Sequence, residues 1–182
     1  MTVSVSAFDR RPKFRERRFT SRDGLSLYFR DSGDPFSERL PVLCLAGLTR
    51  NSRDFATVAA RLSVQRRVIC LDYRGRGQSD HDPDWRNYHP LTYLDDIRHL
   101  LAVLGIGRVI VIGTSMGGLL AAGMAAAMPT VLAGVIINDV GPEIGQRGLE
   151  RIIAYMKDDG PLPDWNTAVA KLRTTFPNMP AS

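Results

Sequence analysis

A doubly wound α/β fold with a mostly parallel sheet is predicted by three features of the chain. Short apolar runs rich in β-branched residues alternate with stretches of helical periodicity, and that rhythm continues up to Pro142. Ahead of it stand two β-forming segments, 14–20 and 25–30, joined through Arg22-Asp23-Gly24, which reads as an antiparallel hairpin. The third feature is a strand-to-helix break built of small residues, Gly113-Thr114-Ser115-Met116-Gly117-Gly118.

After the hairpin, Gly33, Asp34 and Pro35 mark 32–40 as loop, and Val42-Leu43-Cys44-Leu45 forms the next strand. Phe55, Val58, Ala59 and Leu62 recur at i, i+3, i+4 and i+7, which predicts a helix. Val68-Ile69-Cys70-Leu71 is a strand running into Asp72-Tyr73-Arg74-Gly75-Arg76-Gly77-Gln78-Ser79. Thr92 with Asp95 has capping-box spacing and opens a helix. Its apolar face carries Leu94, Ile97, Leu101 and Leu104, leaving Asp95, Asp96, Arg98 and His99 to water.

Val109 to Ile112 is another strand, followed by an alanine- and glycine-rich helix closed by Pro129 and by a strand over 131–137. Beyond Pro142 the pattern changes. Leu149, Ile152, Ile153 and Met156 have helical spacing, as do Trp165, Ala168, Val169, Leu172 and Phe176, with Gly160-Pro161-Leu162-Pro163 between the two sets. The expected organisation is a core over 1–142 and the start of a helical cap over 143–182.

The chain has 182 residues, 44% hydrophobic and 24% charged, which suits one soluble globular domain. Its net charge is +5, and much of the excess lies in Arg10, Arg11, Lys13, Arg15, Arg17 and Arg18. No base-stacking aromatics interleave that run beyond Phe14, so it reads as solvated surface and no nucleic-acid partner is expected. Cys44 and Cys70 each lie in an apolar run and read as buried thiols.

The first twenty residues hold no apolar segment of the kind a signal peptide needs, and a cytoplasmic location is expected. Residues 109–137 carry no charge, but Gly113, Gly117, Gly118, Gly123 and Pro129 interrupt them. They read as buried strand, helix and strand, not as a membrane span.

The chemistry points to Ser115. In Gly113-x-Ser115-x-Gly117 the serine stands on a tight turn between a strand and a helix, so its neighbours must be small. The helix N-terminus favours negative charge developing beside it. Neither a G-x-G-x-x-G turn nor a Gly-Lys-Ser/Thr phosphate loop is present. There is no H-E-x-x-H, and the two cysteines are too far apart for a CxxC-type site, so neither cofactor nor metal is expected.

Three segments taken in order resemble the α/β-hydrolase superfamily: Ala46-Gly47-Leu48, Asp72-x-Arg74-Gly75-x-Gly77-x-Ser79, and the elbow Ser115-Met116-Gly117-Gly118. The first stands where the family has His-Gly-x, with Ala46 in place of histidine. The resemblance implies Ser115 as nucleophile, an oxyanion hole formed by the backbone N–H groups of Leu48 and Met116, and Gly113, Gly117 and Gly118 as the elbow's small residues. It implies a bracing role for the Asp72 loop. Haloalkane dehalogenases and epoxide hydrolases place an aspartate at the elbow, so the serine points to acyl chemistry. Ester hydrolysis is the first expectation, and carbon–carbon bond hydrolases with a Ser-Met-Gly-Gly elbow and a helical lid are also similar. The substrate expected is a small molecule with an apolar or aromatic acyl group, from Tyr155, Met156 and Trp165 in the lid.

In this family the triad runs serine, acid, histidine. His81, His89 and His99 all precede Ser115. Asp139, at the end of the sixth strand, is a candidate acid, with a turn or cap role before Gly141-Pro142 as the other reading. Relative to the family, two further strands, the usual acid and the histidine are absent, so the chain reads either as a truncated product of a longer enzyme or as a degenerate member with another role. The sixth strand is then an open edge through which the chain is expected to self-associate. A non-catalytic binding module on the same fold is the alternative function.

Overall fold

The Asp23-Gly24 turn closes the hairpin where the sequence places it. Strands β1 (Phe14–Thr20) and β2 (Ser26–Ser32) pair antiparallel, from Phe14↔Ser32 to Thr20↔Ser26. Gly24 takes φ 94°, a conformation that favours glycine. This is the computed structural model of the chain, and it describes residues 14–143, 145–157 and 160–175.

Four further strands follow: β3 (Val42–Leu45), β4 (Val68–Leu71), β5 (Val109–Thr114) and β6 (Leu132–Asn138). The sheet order is β1-β2-β4-β3-β5-β6. The last four strands pair in parallel, and β2 joins them antiparallel through Phe29↔Leu71 to Ser32↔Val68. The connections between the parallel strands carry helices α1 (Ala56–Leu62), α2 (Pro90–Val103) and α3 (Met116–Ala127). The predicted doubly wound architecture, with its antiparallel N-terminal hairpin, is what the chain forms.

Alternation along the strands explains why both faces are covered. Leu43, Leu45, Ile69, Leu71, Val109 and Val111 pack with Ile97 and Leu100 of α2 and Leu120 and Met124 of α3. The intervening Val42, Cys44, Val68 and Cys70 pack on the other face with Phe55 and Ala59. Each fully buried Leu or Ile contributes roughly 1.5–3 kcal/mol. Cys44 and Cys70 lie opposite each other in register and are free, buried thiols. The neighbouring Cys70 sulfur and burial push the Cys44 thiol far above its ordinary value, which keeps it protonated and unreactive.

Several sequence expectations shift. Strand β2 reaches Ser32, because Ser32 pairs with both Phe14 and Val68. Strand β6 starts at Leu132, after a 3-10 turn over Pro129–Val131. Helix α2 does not begin with the Thr92–Asp95 box. His89 is its N-cap, with Nδ1 accepting from the Leu91 N–H at 3.3 Å, and Pro90 takes the first helical position, where its missing N–H costs nothing. Asp95 instead faces Arg22 at 3.7 Å. Asp96 is buried rather than exposed, and His99 is half-buried with its ring 6.1 Å from that of Phe19.

The basic run is also more than solvated surface. Arg15 and Arg17 reach the fully buried Asp31 at 3.2 and 3.1 Å, and Arg67 grips the same carboxylate through Nε and Nη2, both at 3.0 Å. Arg18 donates to the Gln78 carbonyl at 2.6 Å. Arg10, Arg11 and Lys13 lie outside the described residues.

The chain divides into one compact unit ending at Pro142 and a second beginning at Glu143. The second unit holds helices α4 (Gln146–Lys157) and α5 (Trp165–Thr175), which carry the two amphipathic patterns. Phe176 and the side chains of Tyr155 and Met156 lie outside the described residues. Among the described residues no helix is long and apolar enough to cross a membrane.

Candidate active site

Ser115 stands between β5 and α3 with φ 52° and ψ −118°. For a residue with a side chain, such a backbone conformation costs about 1–3 kcal/mol and persists only when its surroundings enforce it. They do so here. The Ser115 N–H donates to the Asn138 carbonyl at 2.9 Å, and the Ser115 carbonyl accepts from Gly118 and Leu119 at 2.8 and 3.2 Å. The serine is the N-cap of α3, yet its hydroxyl makes no capping bond, so the side chain is not spent on the helix.

The glycines are required by close approach. A Cβ at Gly113 would strike the Gly117 carbonyl, and one at Gly117 would strike the Leu45 carbonyl. At Gly118 it would lie 2.6 Å from Val140 Cγ1. The helix start is thereby pressed against the ends of β3 and β5, with Ser115 half-buried at their rim.

The segment Ala46-Gly47-Leu48 leaves β3 alongside the serine: a Cβ on Gly47 would be 3.6 Å from Ser115 Cβ. Two side chains from the loop after β4 hold this segment. Tyr73 donates its hydroxyl to the Ala46 carbonyl at 3.1 Å, and Arg76 Nε donates to the Leu48 carbonyl at 2.7 Å. Sequence reading missed both, since the partners lie 27 and 28 residues apart and neither residue type announces such a contact. With alanine at position 46, these bonds supply the bracing of the loop from outside it. Leu48 and Met116 are half-buried, and Met116, as the first residue of α3, has an N–H beyond the reach of the helix's own bonding pattern.

The loop after β4 is itself rigidly built, as its sequence predicts. Asp72 Oδ1 accepts the Ser52 N–H at 2.6 Å and Oδ2 the Gln78 N–H at 2.9 Å. A Cβ on Gly77, at φ 54°, would strike that carboxylate. Ser79 donates to the Asp72 carbonyl at 2.7 Å and accepts from the Tyr28 N–H at 2.8 Å, tying the loop to β2.

Arg74 is 2% exposed and pairs with three carboxylates: Asp96 through two bonds at 2.9 and 2.7 Å, Asp82 at 2.6 Å and Asp23 at 2.7 Å. Burial alone would lower its pKa, but the bonds from Asp96 and Asp23 outweigh it and keep the guanidinium charged. Burial raises Asp96 above the usual carboxylate range, and Arg74 offsets only part of that rise.

The other candidates fall elsewhere. Asp139 follows β6, exposed and at φ 57°, and its carboxylate bonds to nothing among the described residues. It is the preceding residue, Asn138, that holds Ser115, through its backbone. His81 and His89 are exposed on the loop after β4 and at the start of α2, and none of the three histidines bonds Ser115. Among the described residues no group of three or more His, Cys, Asp or Glu could hold a metal ion.

Residues 41–179 match the family profile described as alpha/beta hydrolase fold. The 3-hydroxybutyrate-oligomer hydrolase of Cupriavidus necator is 40% identical over 128 residues, covering 70% of this chain and 43% of that protein. The 2-(acetamidomethylene)succinate hydrolase of Mesorhizobium japonicum is 32% identical over 141 residues, covering 77% of this chain and 50% of that protein. An alpha/beta hydrolase from Novosphingobium aromaticivorans, known from its crystal structure, superposes with a TM-score of 0.85 at 45% identity. That match covers 93% of this chain and 60% of the other. The chain thus spans half or less of the length of these two curated relatives.

Proposed function

The chain belongs to the α/β-hydrolase family, and from that premise we propose that it carries the nucleophile of a serine hydrolase acting on an ester or other carbonyl substrate. The observation that carries this reading is the Ser115 backbone, held at φ 52° between two bonded carbonyls with its hydroxyl free of capping. Ser115 Oγ attacks the carbonyl carbon, a proton leaves the hydroxyl for a base, and negative charge gathers on the carbonyl oxygen. The N–H groups of Leu48 and Met116 receive that oxyanion, with the α3 N-terminus adding positive potential. Collapse expels the leaving group and leaves an acyl-enzyme, which water hydrolyses.

The two named relatives act on 3-hydroxybutyrate oligomers and on 2-(acetamidomethylene)succinate. Both are carbonyl compounds, which supports acyl chemistry, and an ester is the preferred substrate class. The family order takes acid and base from sequence after Ser115. Residues 143–182 serve as the start of a helical cap, and Asp139 remains the candidate acid within the first unit. This chain alone is expected to turn over weakly, because loss of a triad base leaves mainly binding and oxyanion stabilisation.

A fluorophosphonate probe tests the nucleophile without requiring turnover. We expect slow labelling that Ser115→Ala abolishes and that Arg76→Ala slows by a further factor of about ten, as for a weakened oxyanion donor. Tight binding of carbonyl ligands with no labelling would instead establish a binding module.

A further inference from the structure

Away from Ser115, a polar cavity of about 180 Å³ lies among Tyr28, Arg30, Ser52, Arg53, Asp72 and Gln78. Two buried polar atoms of its wall have no hydrogen-bond partner among the described residues: Nε of Arg30 and Oγ of Ser52. Ser52 is 2% exposed, so the unmet hydroxyl is not turned to bulk water. Arg30 stacks on the Phe14 ring at 4.2 Å and forms no ion pair among the described residues. Its cross-strand neighbour Glu16 accepts from the Tyr28 hydroxyl at 3.2 Å and forms no ion pair with Arg30.

We propose that this cavity binds a small oxyanion, a carboxylate or phosphate group, through Arg30 and Ser52. An arginine Nε can only donate, and a serine hydroxyl can donate, so the two unmet groups call for an acceptor. The guanidinium's charge makes an anionic acceptor the better complement, and arginine matches carboxylate and phosphate oxygens in geometry. Asp72 is the one carboxylate named in the wall, and its two oxygens are turned to the Ser52 and Gln78 amides. With Arg30 and Arg53 against Asp72, the named wall carries a net positive charge. Water alone would fit, at roughly 30 Å³ per molecule, but would supply no charge opposite the guanidinium. A bound anion would clamp β2 to the turn that follows Leu48.

Equilibrium dialysis of the full 182-residue chain against radiolabelled inorganic phosphate and, separately, radiolabelled acetate tests the site, with chloride holding ionic strength constant. Saturable binding of one equivalent of either is expected, and which one saturates identifies the group. Arg30→Gln and Ser52→Ala should each weaken it by about tenfold. Arg86→Gln, which removes an exposed arginine paired with Asp84, should leave it unchanged. Arg30→Lys keeps a charge without the Nε donor and guards against misfolding as the cause of loss; it too should bind more weakly than the parent. Absence of saturable binding, or equal binding by all four variants, would overturn the proposal and leave the cavity to water or to an adventitious ion only.

Discussion

The two edges of the sheet are built on opposite principles. Strand β1 shows water a row of charges, with Arg15, Glu16, Arg17 and Arg18 all exposed, while the buried Asp31 of β2 collects Arg15, Arg17 and Arg67 behind it. Strand β6 shows Val135, Ile136 and Ile137 at 38%, 54% and 48% exposure, and among the described residues it pairs only with β5. Charged edges resist pairing with another chain, whereas apolar ones invite it. The β1 edge is therefore the one that resists pairing, and the β6 edge is the one open to it.

The contrast can be broken most severely at Asp31. Asp31→Ala leaves the buried Arg67 without its carboxylate, and we expect a loss of about 3–5 kcal/mol in urea unfolding. The acid limb of stability tests the same node. Burial would raise Asp31, but the Arg67 and Arg17 bonds outweigh it and hold the carboxyl below the usual range. Its contribution is thus complete above the ordinary carboxylate range and fades as pH falls through the depressed native value. Asp31→Asn should flatten that limb. Asp96 has the opposite sign, because its raised native value penalises the ionised folded form and acidification relieves the penalty. Asp96→Asn should therefore leave the loss at low pH intact; equal flattening by both variants would show that the Arg67 node is not what acid attacks.

The next effect concerns association. We expect the chain to form oligomers through β6, and Ile136→Lys to shift them to monomer in size-exclusion chromatography with light scattering. A parent chain that is already a clean monomer would refute the reading of β6 as an adhesive edge. The smallest effect is at Arg17. Its head group is near half exposed and Asp31 keeps two other partners, so Arg17→Ala should cost about 1 kcal/mol or less.

The inequality between the edges bears on what the sequence disclosed. The hairpin, the alternation of strand and helix and the elbow at Ser115 were legible because each rests on local rules: a turn dipeptide, a side-chain period, small residues at a sharp bend. The start of α2 departs from the Thr92–Asp95 pattern, because a histidine ring cap followed by proline satisfies the first turn as well as that box would. Helical periodicity places Asp96 in water, because it counts charges as outward. It cannot register an arginine 22 residues away.

From its residues alone, the chain dictates a parallel α/β sheet, two covered faces and a serine on a glycine-hemmed bend, since these follow from backbone sterics and the repeat of apolar side chains. Only the tertiary structure decides which buried charges meet, that Tyr73 and Arg76 secure the backbone beside Ser115, and that Arg30 and Ser52 share a cavity with bonds unmade. Those outcomes depend on partners distant in sequence, brought together when the sheet closes, and no local pattern encodes them.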